Sequence, residues 1–274
     1  MGCTGLPLSL ATDEPYRYPR TMESRKMNQY DQFSLDYHWL YSDNVLAGKP
    51  FLEQFGNLLD SMPPNSRLPD CSCGIGVHAV ALAHRGFSVW GTDSSPGMIA
   101  QARERSNSVG TKVPFTVSTW QELPQVFDQK FDVAFCLGNS IGHCNGRQEM
   151  ISSFQGIHAI LRDNGMLVLD SRNWDKLCRE KPRFSTMGIR VRNGIRCIPL
   201  YVWNFPSLLE EEHLIEVVLI FEDQGSVYER HYSITYRPYR YTELCERLSE
   251  SGFIDIRSDF AEEKDIYTIT ARNG

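Results

Sequence analysis

The stretch that decides the fold runs from Leu68 to Ser95, LPDCSCGIGVHAVALAHRGFSVWGTDSS. A short run ends at Asp70 and opens a tight loop of small residues, Asp70-Cys71-Ser72-Cys73-Gly74-Ile75-Gly76. Val77 to Arg85 carries Val, Ala and Leu at helical density. Gly86 stops it, as glycine does just past a helix end. Phe87–Gly91 reads as a second strand, closed by Asp93. Strand, glycine turn, helix, strand, acid is the grammar of a nucleoside cofactor site. Glycines let the backbone approach a ligand, and an acid at the end of the next strand accepts ribose hydroxyls. Gly74-x-Gly76-x-x-Ala79 also fits the loose dinucleotide pattern, so the loop alone leaves NAD and S-adenosylmethionine (SAM) level. Asp70 separates them. A carboxylate just before the loop repels a pyrophosphate and welcomes an ammonium group, which SAM has and NAD's phosphates lack.

Downstream the alternation continues. Ser95 as N-cap and Pro96 at the first helical position start a helix with Met98, Ile99 and Ala102 inward. Pro114–Thr119 is a third strand, followed at once by Trp120, which we place on the adenine. Phe131–Leu137 is a buried fourth strand broken by Gly138-Asn139-Ser140; a helix spans Gln148–Arg162; Met166–Asp170 is the fifth strand. Ligands in open α/β sheets bind beyond the carboxyl ends of strands, which puts Asn139, His143 and Arg172 where substrate chemistry belongs. The pattern predicts an α/β, Rossmann-like sheet over 27–173. From 174 to 241, Arg190–Phe205, His213–Glu222 and Ser226–Tyr236 read as long strands with no helix between them. They predict an inserted antiparallel sheet over the substrate mouth. Residues 242–274 return to the first sheet. Residues 1–26 hold prolines and charges with little periodicity and read as a flexible tail.

Composition bounds the rest. Of 274 residues, 41% are hydrophobic and 23% charged, ordinary for a globular protein. A net charge of −6 argues against a nucleic-acid partner. Eight cysteines without any C-x-x-C pair imply reduced thiols and no metal site, and hence a cytoplasmic setting. No apolar run is long enough to span a membrane, and no signal peptide is expected.

Several motifs then converge on one family. Cys136-Leu137-Gly138-Asn139-Ser140, Asp170-Ser171-Arg172-Asn173-Trp174-Asp175, the loop Asp70–Val77 and the aromatic segment ending His38-Trp39-Leu40-Tyr41 resemble the glycine N-methyltransferase family, from about Tyr30 to the C-terminus. They look closer to the microbial glycine/sarcosine N-methyltransferases of betaine synthesis. The resemblance implies a class I SAM-dependent methyltransferase fold, with SAM over Asp70, Cys71, Cys73, Gly74 and Gly76. It implies ribose on Asp93 and Ser94, adenine between Met98 or Ile99 and Thr119–Trp120, and Leu137 and His143 at the methionine end. An aromatic flap with Tyr30, Trp39 and Tyr41 would close over it, and Lys49 would stand for a family arginine on the cofactor carboxylate. Arg172 would grip a glycine carboxylate, Asn139 would place its amine, and Tyr30, Tyr41, Tyr201 and Tyr236 would surround the transferred methyl. The implied reaction is methylation of glycine and sarcosine. Another small amine or acid as acceptor, a non-catalytic SAM-binding regulator and, more remotely, an NAD oxidoreductase are the rivals. The oligomeric state is open.

Overall fold

The computed structural model describes residues 28–206, 208, 209 and 211–274; the expected tail 1–26 lies outside them. The strands, in chain order, are β1 (Arg67–Asp70), β2 (Ser88–Asp93), β3 (Phe115–Val117), β4 (Phe131–Cys136), β5 (Leu161–Arg172), β6 (Phe184–Thr186), β7 (Arg190–Arg192), β8 (Ile195–Asn204), β9 (His213–Asp223), β10 (Ser226–Tyr236), β11 (Phe253–Ser258) and β12 (Ile266–Asn273).

Seven of them form one sheet in the order β11-β12-β5-β4-β1-β2-β3. β1 to β5 run parallel to their neighbours, while β12 is antiparallel to β5 and to β11. The chain leaves β1 for β2 on one side and returns to β4 on the other. The strand order therefore reverses at β1, and the crevice beyond its carboxyl end is the natural ligand site. Helices Val77–His84, Pro96–Ser108 and Arg147–Ile160 connect these strands. The first starts at Gly76, whose φ of +79° and 3.0 Å approach to Ala102 leave no room for a Cβ, so only glycine serves there. Ser95 caps the second by accepting from the Met98 N–H at 3.2 Å, as its sequence position predicts.

The fifth strand begins five residues before the expected Met166, at Leu161. Asn164, at φ +59°, absorbs a shift in its register against β4, so the residues between the expected helix end at Arg162 and Met166 are taken into the strand. The expected strand over Arg190–Phe205 is two, β7 and β8, folded on each other at Asn193-Gly194, both with positive φ, as tight hairpins require. With β6, β9 and β10 they form a separate antiparallel sheet, ordered β10-β9-β8-β6 with β7 on β8. Its inward residues alternate (Cys197, Pro199, Tyr201 and Trp203 on β8; Ile215, Val217, Leu219 and Phe221 on β9), and the hydrophobic ones pack into one core with the seven-stranded sheet. No helix among the described residues is long and apolar enough to cross a membrane, and none of their His, Cys, Asp and Glu cluster in a way that could hold a metal ion.

Candidate active site

A cavity of about 530 Å³ opens at the carboxyl ends of β1, β2 and β4, a size that suits a nucleoside ligand. Its floor is the loop after β1. There Cys71 donates its N–H to the Phe135 carbonyl (2.7 Å), Cys73 to that of Thr92 (2.9 Å), and Ser72 donates its hydroxyl to the Leu137 carbonyl (3.0 Å). The loop is thereby pinned to the strands on either side, with Cys71, Cys73, Gly74 and Ile75 facing the cavity. Asp93 reaches the cavity from the end of β2. Its carboxylate accepts the N–H of Gly74 (2.9 Å) and of Ser95 (2.9 Å), so acid and glycine loop are locked together. Burial raises its pKa, against the pull of those N–H groups.

Asp70 lies one residue behind the wall, fully buried, with neither carboxylate oxygen hydrogen-bonded. Burial pushes its carboxyl up to about 7, with the nearby N–H groups of Ser72 and Ala79 pulling the other way. Ser94, Met98, Thr119 and Trp120 line the far end, where the Trp120 indole N–H is buried without a partner. Ile99 is not there: it is fully buried in the core with Leu68 and Ala102, so of the two expected side chains Met98 alone faces the cavity.

The flap contributes Tyr30, Tyr37 and Tyr41. Trp39 turns away, its ring edge-on to Phe221 at 5.4 Å and beneath the Arg192 guanidinium at 5.1 Å. The second sheet offers it a buried apolar seat with a cation over its face. Tyr37 takes the place expected for it and accepts a hydrogen bond from the Tyr41 hydroxyl at 3.1 Å. Lys49 opens the exposed start of helix Lys49–Gln54 and does not reach the cavity, whose described lining holds neither Lys nor Arg. Asp170 and Glu149 do face it. Asp170 accepts the Asn139 N–H at 2.7 Å. An acidic wall without basic side chains suits a cationic nucleoside and not a pyrophosphate, so the residues present fit SAM.

The other expected residues form an adjoining polar nest. His143 Nδ1 lies 2.9 Å from the Thr235 carbonyl, which can only accept, so Nδ1 carries the hydrogen. The Gln29 amide nitrogen also stands 3.1 Å from Nδ1, but an amide can direct its hydrogens elsewhere and a carbonyl has none to give. Nε2 is then an acceptor and takes the Tyr30 O–H at 2.8 Å. Burial pushes His143 down to about 4, so the ring is neutral near pH 7. Tyr236 stacks on it at 4.2 Å, with its hydroxyl 3.4 Å from that of Tyr30.

Beyond them the Arg172 guanidinium lies 5.8 Å from the Tyr201 ring centre and 5.3 Å from that of Trp203. Its Nε is buried without a partner. Burial opposes the charge, and the phenol oxygens of Tyr236, Tyr201, Tyr30 and Tyr37 outweigh it. Asn139 accepts the Arg172 main-chain N–H through Oδ1 (2.9 Å), while its Nδ2 is buried and unpartnered. Among the described residues no carboxylate pairs with Arg172. Sequence reasoning missed Tyr37, Asp170 and Trp203 as site residues. Trp203 had a signal: it lies two residues after Tyr201 on one strand, hence on the same face.

Residues 69–165 match the family model described as a methyltransferase domain. The chain is 28% identical over 191 residues to a glycine/sarcosine N-methyltransferase of Parasynechococcus marenigrum (strain WH8102), covering 69% of this chain and 63% of that one, under two thirds of the relative's length. It is 35% identical over 124 residues to the glycine N-methyltransferase of Homo sapiens, covering 40% of this chain and 42% of that one. In fold it is similar to an amino pentose methyltransferase of Micromonospora echinaspora solved with SAM bound, with a TM-score of 0.65 at 16% identity, covering 93% of this chain and 100% of that one.

Proposed function

Because the chain carries a methyltransferase domain on the class I SAM-dependent fold, we propose that it transfers a methyl group to the amine of a small amino acid, glycine and then sarcosine, as in betaine synthesis. The observation that carries this reading is Arg172. It has a buried, unpartnered Nε, no carboxylate partner among the described residues and an aromatic box around it. A charge buried in that way calls for an anionic ligand. The planar fork binds a carboxylate with two parallel hydrogen bonds. The unpartnered Asn139 Nδ2 supplies another donor beside it. An amino acid whose carboxylate sits there presents its amine toward Tyr30 and the cofactor cavity.

SAM would be held by the Cys71–Ile75 loop, Asp93, Met98 and Trp120, and it supplies an electrophilic methyl on a sulfonium. This chain's own part is positioning. Arg172 and Asn139 fix the acid end. Tyr30, whose hydrogen is committed to His143, offers the amine an oxygen that only accepts, and so favours an N–H donor. Tyr37 and Tyr41 close the cavity to water, and their rings and oxygens suit a cationic sulfonium. No side-chain nucleophile is needed.

The test is methyl transfer from labelled SAM to glycine, sarcosine and dimethylglycine in parallel. Transfer to the first two and not the third supports the reading and fixes where methylation stops. SAM binding with no transfer to any of the three sinks it.

A further inference from the structure

The described part of the flap begins with a short helix, Gln29–Phe33, capped by Asn28, whose side chain accepts the Tyr30 N–H at 3.0 Å. Gln29 and Tyr30 are consecutive, and the turn brings one to each nitrogen of the His143 ring: Tyr30 to Nε2 and Gln29 to Nδ1. Which end of the Gln29 amide faces the ring follows from its other contact. The Thr235 main-chain N–H can only donate, so the Gln29 atom 2.8 Å from it is the oxygen. The Thr235 hydroxyl stands 3.4 Å from the same oxygen. The amide nitrogen is left 3.1 Å from Nδ1. Thr235 is thus held by Gln29 through its N–H and holds the ring through its carbonyl, 2.9 Å from Nδ1.

A glutamate at position 29 would accept the Thr235 N–H as readily. What it lacks is the nitrogen end. An amide turns the positive end of its dipole to the ring, where a carboxylate would set a negative charge against it. The other groups that face the ring are the Tyr30 and Tyr236 phenols and the Arg172 guanidinium. These neighbours are neutral or cationic, and among the described residues no carboxylate pairs or hydrogen-bonds with His143.

The charge of the ring decides what Tyr30 can do. While Nε2 carries no hydrogen it accepts the Tyr30 O–H, and the phenol oxygen is free to accept an amine N–H. A protonated Nε2 donates to that oxygen instead and turns the Tyr30 hydrogen outward. A donor there ties up the amine lone pair, the pair that must form the new bond to the methyl carbon. We propose that Gln29 is a positioning residue of the amine site: by presenting an amide and not a carboxylate to Nδ1, it keeps His143 uncharged and Tyr30 an acceptor. What Tyr30 faces rests on the amino-acid acceptor proposed for this site; how Gln29 holds the ring does not.

Gln29→Glu tests this, since it keeps the size of the side chain and the acceptor for Thr235. An opposite charge beside a titrating group moves it by roughly 1–3 pH units, so the His143 ring, at about 4 in the parent chain, is expected to titrate between about 5 and 7 in the variant. Two-bond 1H–15N spectra with S-adenosylhomocysteine bound read both ring nitrogens, and His143→Gln identifies the signal among the seven histidines. The parent should carry a hydrogen on Nδ1 alone from about pH 5.5 to 8.5, and the variant should gain a second as pH falls. At saturating SAM, the kcat/KM for glycine of the variant divided by that of the parent should fall at least threefold from pH 8.5 to 5.5, in step with the ring. The amine's own proton cancels in that ratio, and a purely structural defect would lower it equally at every pH. Both chains are compared after a shared urea midpoint at pH 8.5 shows the variant folded. A ring that titrates alike in the two chains overturns the proposal, as does a ratio that does not follow the ring, or a parent ring already charged at pH 6. If the parent methylates neither glycine nor sarcosine, it is the acceptor reading that fails, and the ring spectra alone decide whether Gln29 keeps His143 neutral.

Discussion

Arg172→Lys isolates the bond on which the substrate assignment rests. Lysine keeps the positive charge but replaces a planar fork with a single point donor, so one of the two parallel bonds to a carboxylate is lost. A hydrogen bond to a charged group is worth about 1.5–3 kcal/mol, and about 1.4 kcal/mol is a factor of ten. The expected result is a glycine KM raised at least tenfold. The scaffold is spared, because Asn139 holds residue 172 through its main-chain N–H, which the substitution leaves in place. Arg172 also lies off the wall of the cofactor cavity, so affinity for SAM is expected to change less than twofold. Initial rates over a range of glycine at saturating SAM, with calorimetric titration of S-adenosylhomocysteine, measure the two separately. An unchanged glycine KM removes Arg172 from the substrate site. A loss of cofactor affinity equal to the loss in KM shows that the guanidinium serves the cofactor or the fold.

Gly142 sits between Asn139 and His143, where a Cβ would meet Tyr236 Cδ1 at 3.1 Å and Asn139 Nδ2 at 3.4 Å. Gly142→Ala is expected to raise the amino-acid KM several-fold while leaving S-adenosylhomocysteine binding intact; equal damage to both would show a general loss of structure. Asp93→Ala removes the carboxylate that both faces the cavity and ties Gly74 to Ser95, and should lower cofactor affinity by tenfold or more in the same titration. On pH, neither His143 nor the flap phenols supply a base near neutrality: burial holds His143 at about 4 and drives the Tyr30 and Tyr37 phenols well above their ordinary 10. Since a free amino acid must shed a proton before it can attack, the rate should climb from pH 6 to 9, and a flat profile would mean a base has been overlooked. His78, packed on Phe51 at 4.6 Å, is likewise pushed by burial to about 4. An unfolded histidine titrates near 6.5, so the unfolded chain binds the extra proton and His78 costs stability as pH falls from 6.5 toward 4, about 3 kcal/mol by pH 4. Urea unfolding of His78→Phe should show a smaller loss between pH 7 and 4 than the parent chain; equal losses would contradict a buried neutral ring.

What was legible in the sequence was local. The glycine loop, the Ser95 cap and Asp93 work within about two dozen residues of one another, and their spacing is set by one strand-helix-strand unit. The second sheet was legible too, since three long strands without intervening helices can only pair antiparallel. The flap was not. Its course is fixed from the far end of the chain: Arg192 donates to the carbonyls of Tyr41 (2.7 Å) and His38 (3.2 Å), and Arg230 and Tyr232 both hold Asp36. Each of these contacts joins residues more than half the chain length apart, so no local pattern shows that Trp39 faces the sheet and Tyr37 the cavity. Lys49 failed for the same reason, as its place depends on where the flap ends.

The same long-range contacts bind the two halves of the site into one. Tyr30 comes from the flap, His143 from the turn after β4, and Thr235 and Tyr236 from the end of β10. The hydrogen-bond chain Tyr30 to His143 to Thr235 runs through all three. Each link also fixes the next: the Thr235 carbonyl sets the imidazole tautomer, the tautomer makes Nε2 an acceptor, and that turns the Tyr30 oxygen into an acceptor toward whatever ligand lies beyond it. The flap can hold this geometry only while the second sheet holds β10 against the turn, where Arg237 donates its N–H to the Gly142 carbonyl at 2.8 Å. On the proposed reading, cofactor enclosure and amine recognition are thus properties of one closed arrangement. A substitution that frees the flap, such as Arg230→Ala at Asp36, is therefore expected to weaken cofactor binding and raise the amino-acid KM together, in contrast to the separate effects at Asp93 and Arg172.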